Sequence, residues 1–194
     1  MIDGGRRALV PIAGLDGAPR AWVRNGLGLA TEAIVEDVPD RLRAQGVAVL
    51  RLVAPMANGD ARLAPRDPFA GSPGFAIEYP PSPDATPAWP SLRRGFLGAF
   101  EGTEGLRKLG IELWLGPHGG PVLDAAGRLV GIVLRGSGGG SAMLPVSTFR
   151  EVEHEAPADA GPDRVASPET SARLPADEAY ERALKIALQL LTLP

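Results

Sequence analysis

The chain contains no cysteine and only two histidines, His118 and His154. The first absence removes disulfides and thiolate metal sites, and it leaves both reducing and oxidising compartments open. The second leaves the first half of the chain without an imidazole, so no histidine general base can come from there. There is no run of about 18 apolar residues long enough to cross a bilayer. Met1-Ile2-Asp3-Gly4-Gly5-Arg6-Arg7 leads into Ala8-Leu9-Val10 without a signal core, so the chain as written reads as soluble and cytoplasmic, or periplasmic if a leader has been trimmed. Excess positive charge is also missing: 20 Lys and Arg stand against 23 Asp and Glu, for a net charge of -3. No basic cluster interleaves with aromatics, which argues against nucleic acid as a partner.

What is present is turn chemistry and short apolar bursts. Of 194 residues, 44% are hydrophobic, enough for an ordinary core, while Gly 25 and Pro 20 predict many turns and few long helices. Asp16-Gly17 and Asn25-Gly26 read as hairpin turns, and Val47 to Val53 reads as a buried strand. Residues 55–90 hold nine prolines and read as a connecting stretch with one or two strands, the clearest Gly74 to Tyr79, so the boundary between two halves is placed there. The second half continues through Leu92 to Phe100, Ile111 to Leu115, Leu129 to Leu134 and Ala142 to Val146, each read as a strand. Residues 155–175 read as a flexible linker and 176–194 as an amphipathic helix with a wide apolar stripe, which must dock on the body or on another chain. Homo- or hetero-oligomers are therefore open.

The segment Gly116-Pro117-His118-Gly119-Gly120-Pro121, with the hairpin Leu123 to Val133 after it, resembles the G-x-S-G-G-P block of trypsin-like serine proteases. Further matches follow the order of the bacterial HtrA/Deg (DegP-like) type. Leu29 to Val35 fits the L-T-N-x-H-V-V frame, Gly46 to Leu50 fits D-L-A-V-L, Arg94 to Ala99 resembles R-G-x-V-S-A, and Met143 to Val152 resembles the closing strand and turn. The resemblance implies an all-β fold of two six-stranded antiparallel barrels, about 7–80 and 90–152, within a domain spanning 1–154, followed by the C-terminal α-helix. It also implies trimers and following PDZ domains, but no PDZ-length segment follows residue 155.

The same resemblance places Ala33, Gly46 and His118 where histidine, aspartate and serine form the triad, so the chain reads as a pseudoprotease. Leu134, Arg135 and Gly136 match the strand that pairs with substrate backbone, and with His118 they are the candidate peptide-binding residues. The partner expected is thus a protein or peptide, held at the relic cleft or through the helix 177–193. No cofactor is expected. The competing reading is a metal-binding or repurposed enzyme, with His118 joined by His154 or Glu112. A third is a structural subunit with a closed cleft.

Three further features have plain readings. Arg135 to Ser141 reads as a mobile hairpin loop rather than a phosphate cradle, because no Lys-Ser/Thr follows the glycines. Trp22, Trp89 and Trp114 read as core and loop anchors. Glu32, Glu36, Asp37 and Asp40 read as a solvated face, with a patch for a cation or basic partner as the alternative.

Overall fold

The computed structural model describes residues 1–56, 61–80, 89–101, 105–114, 119–136, 139–153 and 173–191. Eleven strands form two antiparallel sheets. In the first, β1 (Arg7–Pro11), β4 (Val47–Leu52), β3 (Ala30–Glu36), β2 (Arg20–Asn25) and β11 (Leu188–Leu191) lie side by side in that order. The second is a closed barrel in the order β10 (Ser141–Pro145), β7 (Leu106–Gly110), β6 (Ser91–Glu101), β5 (Ser72–Glu78), β8 (Pro121–Asp124), β9 (Leu129–Arg135). Among the described residues there are also three short α-helices, α1 (Asp40–Ala44), α2 (Val146–Glu153) and α3 (Ala176–Ile186), and one 3-10 turn, Ile12–Gly14.

Strand parity decides where the core lies. Ala8, Ala48, Leu50 and Leu52 point into the first sheet with Ala21, Val23 and Ala33. Their neighbours Val47 and Val49 point the other way, into a larger core shared with Ile77, Val122, Leu123, Ile132 and Phe149 of the second barrel. One sheet thus feeds two cores, because successive side chains alternate between its faces.

Four expectations about organisation need correction. The strand beginning near Gly74 belongs to the second barrel, since β5 pairs with both β6 and β8, so the boundary falls before it rather than after residue 80. The first sheet has five strands rather than six and is not a closed barrel among the described residues. The C-terminal helix stops at Ile186, where Ala187 turns extended at ψ 130, and Leu188–Leu191 adds a strand along β2. A helical period carried the sequence reading through this segment, but the open edge of β2 offers backbone partners that a solvated helix end lacks. Of the expected strand Ile111 to Leu115, the described residues 111–114 form none: the strand here is Leu106–Gly110, and the Trp114 N–H is taken by the Glu78 carboxylate.

The two turn dipeptides diverge. Asp16 and Gly17 both have positive φ (51° and 76°) and the Ala18 N–H closes on Leu15 oxygen, the geometry of a tight turn. It connects no hairpin, however, because β1 pairs with β4. Asn25-Gly26 does join β2 to β3: the buried Asn25 Oδ1 accepts from the N–H groups of Leu27 and Leu29, both at 3.0 Å. Asn25→Ala orphans two amides in this turn, and we expect it to cost about 2 kcal/mol, read as a lower urea midpoint with unchanged slope.

Candidate functional site

The site suggested by the sequence lies where the second barrel meets the first sheet. Gly119 and Gly120 enter β8 here. A methyl at Gly119 (φ +132°) would lie 2.6 Å from the Pro11 ring, and one at Gly120 would lie 1.7 Å from the Ile77 carbonyl oxygen. Both positions therefore demand glycine, the first because β1 abuts it and the second because β5 crosses it. The Gly120 carbonyl accepts from Val133 N–H at 2.9 Å, tying the elbow to β9. Met1, Ile2, Ala8, Leu9, Pro121, Ile132, Ile186 and Leu188 crowd the adjoining seam, leaving a cavity of about 40 Å³.

The sequence-predicted residues only partly converge. Gly46 caps α1 in the left-handed region (φ +72°), and its carbonyl accepts from Ile12 N–H, beside the Pro11 that touches Gly119. Ala33 is elsewhere. It is fully buried in the core of the first sheet and pairs with Leu52. Gly46 lies six residues before Leu52, so the two positions are about 20 Å apart along the strand. The β3–β4 pairing ends at Glu36–Val49, and Pro39 then starts α1, whose far end is closed by Gly46 N–H on Arg43. The five residues of α1 and the turn before it carry no histidine, so no imidazole base comes from the stretch between β3 and Gly46. The L-T-N-x-H frame matched Ala33 through apolar spacing alone, and spacing does not set which end of a strand meets the seam. His118 and His154 lie outside the described residues.

Leu134 is buried, Arg135 exposed and Gly136 buried, at the end of β9 that runs past Gly120. Gly136 N–H donates to Gly140 and Gly139 N–H to Gly136, so this segment is a β9–β10 hairpin loop as expected, with residues 137–138 outside the description. Glu112 is exposed, and no group of three or more His, Cys, Asp or Glu among the described residues could hold a metal.

The carboxylates read as a solvated face are mostly paired. Glu32 meets Arg20 at 3.0 Å, Asp37 meets Arg43 at 2.5 Å, and Glu36 joins Arg7 at 3.1 Å and Arg51 at 3.5 Å. Arg7, Glu36, Asp37, Val38 and Val152 line a cavity of about 340 Å³ beside the end of α2.

Sequence reasoning missed a polar cluster beside the elbow. Glu78 ends β5, and its Cα would lie 3.6 Å from a methyl on Gly120. Its carboxylate accepts from Arg93 Nε at 2.9 Å and from Trp114 N–H at 3.1 and 3.2 Å, while the Arg93 guanidinium stacks 4.8 Å from the Trp114 ring. The available signal was the β5–β6 register, which sets Glu78 opposite Ser91 and Ala76 opposite Arg93. The tryptophans are surface residues rather than core anchors: Trp22, Trp89 and Trp114 are 39%, 57% and 44% exposed.

No protein-family model matches the chain, and no curated protein does. Solved structures do. The MamO protease domain from Magnetospirillum magneticum (apo form) superposes with a TM-score of 0.55 at 16% identity, covering 78% of this chain and 84% of that one. The serine endoprotease from Yersinia pestis superposes with a TM-score of 0.63 at 18% identity, covering 79% of this chain and 54% of that one, so this chain spans about half its length. The fold is trypsin-like. Within that fold Gly119 and Gly120 sit between β1 and β5, while the first sheet is a half-barrel completed by β11 from the C-terminal segment.

Tyr79 fastens that segment to the trypsin-like body. Its hydroxyl donates to the Ala187 carbonyl at 3.1 Å, and burial raises its pKa well above the ordinary tyrosine value, with Arg24 opposing the rise and Tyr180 adding to it. In the unfolded chain the phenol ionises near pH 10, whereas in the folded chain it stays protonated to higher pH. Above about pH 10 the unfolded state has lost the proton that the folded state keeps, so stability falls by roughly 1.4 kcal/mol per pH unit. Urea titrations between pH 9 and pH 11.5 should show this slope, and Tyr79→Phe should flatten it.

Proposed function

We propose that this chain is a catalytically inactive trypsin-like domain serving as a protein- or peptide-binding, scaffolding or regulatory subunit. One observation carries the reading. The first sheet, from which this fold draws its base and orienting acid, comes from a stretch without histidine, since His118 and His154 are the only two in the chain. The position matched to the orienting acid is Gly46, which has no side chain to orient a base. Without a base to take the proton, a hydroxyl nucleophile loses about four orders of magnitude in rate or more. The binding role is supported by β9: among the described residues its bonds toward β8 end with Val133 on Gly120, and beyond that point Arg135 is paired on the β10 side alone.

Incubation of the purified chain with fluorescein-labelled casein tests the inactive reading. The expected rate is indistinguishable from buffer, with or without chelator. Turnover abolished by His118→Ala would overturn it, and sensitivity of that turnover to chelator would point to a metal-dependent enzyme instead.

A further inference from the structure

The cluster of Glu78, Arg93 and Trp114 is a built feature that a merely vestigial cleft does not require. Both Glu78 oxygens are engaged, fixing the Trp114 backbone from one side while the Arg93 guanidinium covers one face of its indole. The ring nevertheless remains 44% exposed. Trp89, 57% exposed, lies two residues before Ser91, the residue paired with Glu78, so a second indole stands at the same end of β6. Glu78 in turn packs on Gly120, whose carbonyl holds Val133, the residue before the Leu134–Gly136 segment.

The charges select the ligand. Arg93 already supplies a cation to Trp114, so a second cation on the open face would meet its repulsion and find no unused Glu78 oxygen. An acidic side chain gains little from a guanidinium already paired with Glu78. What fits an exposed, immobilised indole is an uncharged ring. Proline is the ring that arrives with its backbone already extended, so it loses least entropy on docking. We infer that Trp114, held by Glu78 and Arg93, is a recognition platform for a proline residue in an extended peptide. The inference rests on the peptide-binding reading above and names the residue class which that site selects.

The test is a titration of the full chain with a capped decaproline peptide, followed by tryptophan emission, beside glycine-serine and alternating alanine-valine peptides of equal length. Saturable binding of decaproline is expected, weakened about tenfold by Trp114→Ala and severalfold by Glu78→Gln, with Trp22→Phe unchanged. Circular dichroism checks that each variant is folded. Equal decaproline affinity in Trp114→Ala overturns the platform. Binding of the alanine-valine peptide but not decaproline overturns it while leaving peptide capture standing. Binding of none of the peptides overturns both the platform and peptide capture at this cleft.

Discussion

Gly120→Ala is expected to leave little folded protein. The added methyl would lie 1.7 Å from the Ile77 carbonyl oxygen, and the atom it meets is backbone of β5, so no rotamer change relieves it. Either β5 and β8 part or Gly120 gives up its bond to Val133, and both routes damage the closed barrel. The expected loss is about 3 kcal/mol or more, read by urea denaturation and by the soluble yield. Gly28→Ala is the matched control. It sits at positive φ (+85°), unlike Gly120, but nothing lies within 4 Å of the new methyl, so only backbone strain of about 1 kcal/mol is added. Equal losses in the two variants would show that the elbow is not held by this close approach.

Ending the chain at Ala172 should be nearly as severe. It removes α3 and β11, and with them the burial of Ala179, Ala183, Ile186 and Ala187. At about 0.8 kcal/mol per methyl and about 2 kcal/mol for the isoleucine, the apolar loss is about 4 kcal/mol. Gly26 N–H loses the Leu184 carbonyl, Tyr79 loses Ala187, and β2 becomes a bare edge. The melting temperature should fall by about 10 °C, and size-exclusion chromatography should show self-association. An unchanged melt would mean that the C-terminal segment is an appendage rather than the fifth strand of the first sheet.

The elements that sequence located best are those whose signal is local. β4 reads as a strand from its apolar run, the Asn25-Gly26 hairpin from its turn residues, and the G-G-P block from glycines that no side chain can replace. The reading failed where the deciding partner was distant. Ala33 matches a frame of apolar spacing, and only the β3–β4 register shows it opposite Leu52, deep in a core. The span 188–191 continues an apolar helical period, and it becomes a strand because β2, more than 160 positions earlier in sequence, has an unpaired edge.

Trp114 makes the same point for the candidate site. In sequence it sits beside Leu113 and Leu115 and reads as the interior of a strand. In the folded chain a carboxylate 36 positions away captures its N–H, and a guanidinium stacks on its ring. The sequence by itself determined the trypsin-like fold class and the poverty of histidine, because both follow from residue identity and short-range pattern. Which strands share a sheet, which residues face the elbow and which tryptophans meet water were decided by the tertiary structure, since hydrogen bonds and desolvation between remote segments are settled only when the chain closes on itself.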